Sequence, residues 1–509
     1  MHHRISFLLC LLFSSGVILL AQPTNTFQSA VTLPSGALEL HTTKATVTIM
    51  PYSVHTLGVT YEPTGYENPP SYAVAPQTVT IKPEYIEDTT TITWQTEGWT
   101  VTINKDPFLL SYAYHDRHLL AEAPGYISTD TTRGFRFRIA PGEKWMGGGE
   151  RALGMDRTGQ RLTLYNTPSY GYETERDLMY YSLPIAISSR KYMVVFDNGA
   201  RGYLSLGATD PEALQMEAIG GRLSYLIVAG DTWPDLATHF TGLTGRQPML
   251  PRWGYGNISS RFGYHSQAEA EAVIDRYEED DIPVDAIVFD IFWFGKTIKG
   301  TLGNFAWYRD SFPDPEGMMA DFTSQGVQTI LITEPFVLEN THTYQAVLDK
   351  GLVGFDSTGA PYHFDFYFGT GTLLDVFNPH TVAWWWRIYR DLTASGVSGW
   401  WGDLGEPEAH PDDLLHVNGR ADHIHNLYGH AWARLVYEGM RRDFPERRPL
   451  ILMRSGFVGS QRYGMVPWSG DVSRTWGGMQ SQVEIALQMG LQGLGYMHSD
   501  LGGFAGDNR

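Results

Sequence analysis

Two aspartates in this 509-residue sequence each follow a short apolar run and lie close to tryptophan. Asp403 ends the run Gly399-Trp-Trp-Gly-Asp403, and Asp471 ends the run Met465-Val-Pro-Trp-Ser-Gly-Asp471. Cleavage of a glycosidic bond needs two such carboxyl groups, one to protonate the leaving oxygen and one to stabilise or capture the sugar cation. Each aspartate alone could equally be a turn or helix-cap residue. The pair, with its aromatic neighbours, favours the catalytic interpretation.

Charged residues follow further strand-like runs. With the two aspartates they make a set of six: Asp290, Glu334, Asp403, Arg454, Asp471 and Asp500. The C-terminal ends of the strands of a closed parallel barrel converge on one mouth, so these distant positions predict a single pocket. Any one of them could instead be a solvated loop residue or part of a local ion pair.

The sequence pattern changes once along the chain. From Gln28 to Gly242, short alternating runs such as Ala45-Thr-Val-Thr-Ile-Met50 predict an antiparallel β-sandwich. Beyond it, apolar strands alternate with amphipathic helices, which predicts a (β/α)8 TIM barrel with its site at the C-terminal ends of the strands. We therefore expect an N-terminal sandwich over residues 22–245 and a barrel over residues 246–509. An open doubly wound sheet is the alternative. Such a sheet would have a glycine-rich phosphate loop after its first strand, and Asn257-Ile-Ser-Ser260 is not one.

Seven strand-like runs are found in the barrel region. They are Trp253–Ile258, Ala286–Asp290, Thr329–Glu334, Gly399–Asp403, Leu450–Arg454, Met465–Trp468 and Gly493–Met497. A closed barrel needs eight, so we expect a barrel that is truncated after its seventh strand. Between the strands, Ser266-Gln-Ala-Glu269 predicts a capping box at the start of one helix, and Val382–Asp391 predicts another helix.

The N-terminus has the composition of a secretory signal. Arg4 precedes an apolar run that ends at Ala21, so we expect a signal peptide over residues 1–21 and a secreted or periplasmic protein. An uncleaved membrane anchor is the alternative. The net charge of −19 argues against nucleic acid or an anionic membrane surface as a partner. A neutral substrate fits better, and an aromatic content of 13% provides rings on which sugars can pack.

Four ordered motifs give the chain a family resemblance. The motifs are Trp-Gly-Asp403-Leu-Gly-Glu-Pro-Glu408, Arg454-Ser-Gly-Phe-Val-Gly-Ser-Gln-Arg462, Trp468-Ser-Gly-Asp471 and His498-Ser-Asp-Leu-Gly-Gly-Phe504. Together they resemble glycoside hydrolase family 31, over about residues 30 to 509. The residues of these motifs are most similar to those of the family branch that includes α-glucosidases and oligosaccharide 4-α-glucosyltransferases. The resemblance implies a retaining enzyme that acts on α-glucosides from the non-reducing end, with an oligosaccharide as its partner and no cofactor or metal.

The resemblance also implies roles for individual residues. Asp403 matches the nucleophile and Asp471 the general acid/base. The wall of the subsite for the terminal sugar is matched by Asp290, Trp401, Arg454, Trp468, Asp500 and Phe504. We expect Arg454 to lower the pKa of Asp403, and the charge of Asp403 together with the Trp468 ring to raise that of Asp471. Trp401 and Trp468 could equally be buried in the barrel core.

Other interpretations remain open. Within the same fold, α-xylosidase or α-galactosidase activity is the nearer alternative, and a non-catalytic carbohydrate-binding protein is the alternative from another class. The run Gly147-Gly-Gly-Glu150 lacks the lysine and helix of a phosphate loop, so we expect a turn there. A group of histidines, His416, His423, His425 and His430, suggests a metal site, although their spacing also suits helix and loop positions.

Overall fold

The computed structural model describes residues 25–79 and 81–506. The signal peptide expected over residues 1–21 lies outside these residues. Within them, no helix is both long enough and apolar enough to cross a membrane.

The N-terminal part of the chain folds into two large antiparallel sheets. Their strands, in chain order, are β1 (Phe27–Thr32), β2 (Leu38–Thr42), β3 (Ala45–Ser53), β4 (Thr56–Pro63), β5 (Glu84–Glu87), β6 (Thr91–Gln95), β7 (Trp99–Lys105), β8 (Phe108–Tyr114), β9 (Arg117–Ser128), β10 (Arg133–Arg138), β11 (Trp145–Gly147), β12 (Arg161–Leu164), β13 (Ile185–Ser188), β14 (Tyr192–Phe196), β15 (Gly202–Leu206), β16 (Ala213–Ala218) and β17 (Ser224–Ala229). One sheet has the order β1-β2-β3-β4-β17-β14-β13-β11, and the other β12-β15-β16-β10-β9-β8-β7-β6-β5. The antiparallel sandwich predicted from the alternating runs is therefore present.

Strand β14 explains how the sandwich is joined to the rest of the protein. All five of its residues are buried, whereas a strand such as β8 buries every second residue. Tyr192, Val194 and Phe196 pack in the cluster between the two sheets. Met193 and Val195 point the other way, into the cluster that continues through the barrel. The eight-stranded sheet is thus covered on both faces, which fixes the N-terminal domain against the barrel.

The remainder of the chain alternates between helices and mostly parallel strands. In chain order its elements are α1 (Trp233–Thr244), β18 (Ile258–Ser259), α2 (Gln267–Glu279), β19 (Ala286–Phe289), α3 (Pro315–Ser324), β20 (Gln328–Thr333), β21 (Phe336–Leu338), α4 (Tyr344–Asp349), β22 (Phe364–Phe366), β23 (Gly369–Leu373), α5 (Pro379–Ala394), β24 (Gly399–Gly402), β25 (Leu415–His416), β26 (Gly419–Arg420), α6 (Ala421–Ile424), α7 (Tyr428–Asp443), β27 (Ile451–Met453), β28 (Met465–Pro467) and α8 (Trp476–Leu491). Short 3₁₀ turns lie at Arg252–Tyr255, Ile291–Trp293, His425–Leu427 and Ser460–Tyr463.

Six parallel strands form the barrel sheet in the order β18-β19-β20-β24-β27-β28. They correspond to six of the seven predicted strands, but two predictions need correction. The first strand is only Ile258–Ser259, because Arg252–Tyr255 forms a 3₁₀ turn. The predicted seventh strand, Gly493–Met497, contributes one parallel bridge just beyond its end, where Trp468 pairs with His498. Glycines at positions 493 and 495 explain this, since glycine disfavours strand interiors.

Helix α2 begins where the sequence predicts, whereas α5 begins at Pro379, three residues before the predicted Val382. The Ser266 side chain accepts a hydrogen bond from the Glu269 backbone N–H at the start of α2. The Glu269 carboxylate binds the N–H of His265, so only half of the predicted capping box forms. Helix α5 packs on α7, with Trp385 stacked on Trp432 at a ring separation of 4.9 Å.

The close approach of α5 and α7 gives a stability prediction. A Cβ on Gly439 would lie 2.2 Å from the Trp386 indole, so Gly439→Ala should destabilise the protein by about 1–3 kcal/mol. Gly490 in α8 is the matched control, because a Cβ there meets no atom within 4 Å. Gly490→Ala should be neutral or stabilising by up to about 1 kcal/mol. Chemical denaturation of the two variants checks this, and equal effects would contradict the packing argument.

Candidate active site

The C-terminal ends of the barrel strands surround a cavity of about 820 Å³. Seven of the eight predicted site residues line it: Asp290, Trp401, Asp403, Arg454, Trp468, Asp471 and Phe504. The same wall includes three further charged residues, Glu334, Glu408 and Arg474, and four further aromatic residues, Tyr170, Phe262, Tyr367 and Phe368. Asp403 and Asp471 therefore face the same space although 68 positions separate them (471 − 403). A cavity with converging carboxyl groups is the expected form of a small-molecule site.

Asp500 is the predicted site residue that does not line this cavity. Its carboxylate accepts a hydrogen bond from the Trp468 indole N–H at 3.2 Å. Asp500 lines an adjoining cavity that shares Arg474 and Gly506 with this one, and its hydrogen bond orients the Trp468 ring. Its place in the subsite for the terminal sugar stays a prediction. Trp468 in turn meets Trp401 edge to face, with ring centroids 5.2 Å apart. Both tryptophans are buried and both still contribute a surface to the cavity.

Arg454 is the buried cation at the base of the cavity. Its guanidinium donates two hydrogen bonds to Glu406, at 2.7 and 2.9 Å, and one to Glu408 at 3.0 Å. The Arg454 Nε atom also lies 3.2 Å from Asp403 Oδ1. The loop can bring these carboxylates together because Leu404 adopts a left-handed backbone (φ 56°), which turns the chain sharply after Asp403.

Burial dominates the ionisation of Asp403. Its pKa is raised above the usual range because burial penalises the charged form, and the neighbouring Arg454 offsets only part of that effect. Arg454 does lower the pKa of Asp403, as expected, but burial outweighs it, so the net pKa is raised. Two hydrogen bonds of the guanidinium go to Glu406 and one to Glu408, so Arg454 acts on Asp403 through its charge.

The other cavity carboxyls are also displaced towards the protonated form. Burial raises the pKa of Asp471 to about 7; the charge of Asp403 raises it as well, and Arg454 lowers it. Burial likewise raises the pKa of Asp290 to about 8, although a hydrogen bond from the Ile291 N–H favours its anion. Burial holds the pKa of Glu334 well above its usual value. Several carboxyls can thus retain protons near neutral pH, as acid catalysis requires.

Sequence reasoning missed the residues that come from the N-terminal domain. Tyr170 lines the cavity, lies over the Arg454 guanidinium and donates a hydrogen bond to Glu408. The β22–β23 hairpin adds Tyr367 and Phe368 on the cavity wall. No local pattern marks Tyr170, because its role depends on how two domains pack. Glu406 and Glu408 were visible as part of the Asp403 motif, but their spacing did not reveal that both bind Arg454.

The histidines form a hydrogen-bonded row. His425 Nε2 donates to the Asn166 carbonyl at 2.7 Å, and His425 Nδ1 lies 2.9 Å from His410 Nδ1. His410 Nε2 lies 2.8 Å from His416 Nε2, and His416 Nδ1 lies 3.0 Å from Asp375 Oδ1. Burial lowers the pKa of His425 to about 4 and that of His410 well below its usual value.

This row is not arranged around a common centre. His430 is bound to Ser460, and His423 is partly exposed. Among residues 25–79 and 81–506, no group of three or more His, Cys, Asp or Glu side chains has the arrangement of a metal site. The nitrogens of the row face one another in pairs, so they bind one another and do not converge on an ion.

Comparison with known families assigns both parts of the chain. A family model described as the glycosyl hydrolases family 31 TIM-barrel domain matches residues 247–509. A second, described as the glycosyl hydrolase 31 N-terminal galactose mutarotase-like domain, matches residues 46–204. The chain belongs to glycoside hydrolase family 31. The resemblance seen in the four motifs is therefore confirmed.

Individual family 31 relatives differ in the activities that their names state. Alpha-glucosidase 2 of Bacillus thermoamyloliquefaciens is 29% identical over 427 residues, covering 80% of this chain and 53% of that protein. An alpha-xylosidase of Saccharolobus solfataricus is 28% identical over 387 residues, covering 73% of this chain and 49% of that protein. The chain thus spans about half the length of the curated relatives it matches.

Among solved family 31 structures, the fold is closely matched. A Flavobacterium johnsoniae dextranase complexed with glucose superposes with a TM-score of 0.89 at 24% identity, covering 96% of this chain and 62% of that chain. A family 31 alpha-xylosidase from a soil metagenome, complexed with xylose, gives a TM-score of 0.84 at 22% identity, covering 94% of this chain and 73% of that one.

The pair of hydrogen bonds from Arg454 to Glu406 gives a prediction that can be tested without a substrate. Arg454→Lys removes bidentate pairing and leaves an oxygen of the fully buried Glu406 without a partner, so it should destabilise the protein by about 1–3 kcal/mol. Arg309 is the matched control, since it makes the same fork to Glu316 at 2.7 and 2.6 Å on the exposed surface. Arg309→Lys should change stability by less than about 0.5 kcal/mol. Similar effects in thermal unfolding would refute the importance of burial.

Proposed function

We propose that the protein is a retaining glycosidase that acts on α-glucosides, specifically malto-oligosaccharides, from the non-reducing end. The observation that carries the proposal is the shared cavity of Asp403 and Asp471, in which Arg454 contacts Asp403. Such an arrangement separates the roles of two otherwise similar carboxyl groups. We further propose that residues 1–21 direct export of the protein, as their composition suggests.

The chemistry would proceed in two steps. Asp403 attacks the anomeric carbon of the terminal sugar while Asp471 protonates the departing glycosidic oxygen, which leaves the sugar esterified to Asp403. Esterification removes the negative charge of Asp403, so the pKa of Asp471 falls and its carboxylate can deprotonate the next acceptor. Asp290, which is buried at the end of β19, would bond sugar hydroxyls, and an epimer that leaves it unpaired would be rejected.

A second sugar can replace water as the acceptor. Tyr170 and Tyr367 line the cavity and are 53% and 61% exposed, so each has ring surface open to a sugar beyond the scissile bond. These surfaces support 4-α-glucosyl transfer beside hydrolysis, because acceptor binding decides the ratio of the two reactions.

Digestion of maltotriose followed by chromatography tests the proposal. Release of glucose indicates hydrolysis, and longer oligosaccharides indicate transfer. The same enzyme should be offered α-xyloside and α-galactoside substrates. Faster cleavage of either would replace the α-glucoside assignment, and binding of sugars without any cleavage would replace the enzymatic one.

The first mechanistic prediction concerns Asp403. Asp403→Ala should lower the rate by several orders of magnitude, because no side chain remains to form the covalent intermediate. Azide added to this variant should restore turnover and give a glycosyl azide of inverted anomeric configuration, which NMR identifies. Wild-type activity in Asp403→Ala would end the assignment of the nucleophile.

The second mechanistic prediction concerns Asp471. Asp471→Ala should reduce kcat/KM for maltose far more than for α-glucosyl fluoride, since fluoride leaves without protonation. In the wild type, activity should fall as the pH rises through about 7, where Asp471 loses its proton. It should also fall at low pH, as Asp403 becomes protonated through its raised pKa. An alkaline limb that persists unchanged in Asp471→Ala would assign it to another group.

A further inference from the structure

The backbone of Asp471 is held by the N-terminal domain. Its peptide N–H donates to the Tyr180 hydroxyl at 3.1 Å, and its carbonyl accepts from the Gly171 N–H at 2.8 Å. The next residue continues the contact, because Val472 forms a parallel bridge with Tyr172. Both backbone hydrogen bonds of Asp471 therefore cross from the barrel to the N-terminal domain. We call the segment Ser169–Tyr172 of that domain the strap.

The Tyr180 hydroxyl has a defined orientation in this arrangement. It donates to the Ser169 carbonyl at 2.9 Å, so its lone pair is available to the Asp471 N–H. The side chain is fully buried, and its ring lies 5.3 Å from the Arg454 guanidinium. One hydroxyl thus connects the strap, through Ser169, to the residue proposed as the general acid.

The chain around Asp471 is shaped to accommodate this ring. Gly470 has φ of 67°, and a Cβ at that position would lie 2.1 Å from the Tyr180 ring. A glycine is therefore required for both conformation and space. The contact between Gly470 and the Tyr180 ring holds the backbone of Asp471 against a rigid aromatic side chain. The position of the Asp471 carboxyl is fixed together with that backbone.

We propose that Tyr180 is a positioning residue for Asp471, so that the N-terminal domain sets the geometry of proton transfer to the leaving group. The inference rests on the proposed role of Asp471 as the acid/base. A general acid must be held to within about 0.5 Å of its productive position, and a displacement of about 1 Å can cost about 100-fold in rate. Removal of the hydroxyl leaves the Asp471 N–H without its partner and frees the loop to move.

The test compares Tyr180→Phe with the wild type on two substrates. kcat/KM should fall about 10- to 100-fold for maltose, whose leaving group needs protonation, and less than about 3-fold for α-glucosyl fluoride. Tyr112→Phe is the matched control, because it also removes a buried hydroxyl of the N-terminal domain, one that pairs with Tyr225 between the sheets. It should leave both values of kcat/KM unchanged.

The outcomes separate this inference from the proposed function. Equal losses on both substrates would indicate a general structural effect and overturn the positioning role, as would no loss on either. A wild-type protein that cleaves neither substrate would instead contradict the proposed function. In that case crystal structures decide: the Asp471 carboxyl should be displaced by more than about 0.5 Å in Tyr180→Phe, and an unmoved carboxyl would overturn the inference.

Discussion

The pairing of one buried guanidinium with three carboxyl groups organises the whole cavity. Arg454 contacts Glu406, Glu408 and Asp403, and as an arginine it stays protonated in the interior. Burial alone would leave every neighbouring carboxyl neutral, so this permanent charge decides where negative charge can reside. Glu406 takes the bidentate fork and thereby fixes the guanidinium plane. The charge of Asp403 is left only partly compensated, which is consistent with the role of nucleophile that we propose for it.

The same guanidinium explains why the two domains form one site. Tyr170 and Tyr180 of the N-terminal domain present their rings to Arg454, and the Tyr170 hydroxyl reaches Glu408. Asn166, in the same segment, bonds the Ser455 hydroxyl next to Arg454. The sandwich is therefore more than a neighbour of the barrel. It supplies Tyr170 to the cavity wall and several of the contacts that keep the charged cluster in place.

The sequence predicted those features that depend on local pattern. Apolar runs identified six parallel strands, and the rule that their C-terminal ends converge brought Asp290, Asp403 and Asp471 to one cavity. Features that depend on packing between distant segments were not accessible. One such feature is the pKa of Asp403, which burial raises and Arg454 lowers, because no sequence pattern reports how far a side chain is removed from water. The contact of Tyr180 with Asp471, 291 positions apart, is another.

The row of imidazoles fixes the tautomer of each ring. The Asn166 carbonyl can only accept a hydrogen bond, so His425 carries its hydrogen on Nε2. Because burial lowers the pKa of both His425 and His410, these two rings are neutral and each has one hydrogen. His425 therefore accepts at Nδ1 from His410 Nδ1, and His410 accepts at Nε2 from His416 Nε2. One backbone carbonyl of the N-terminal domain thus determines which nitrogen donates as far as His416 in the barrel.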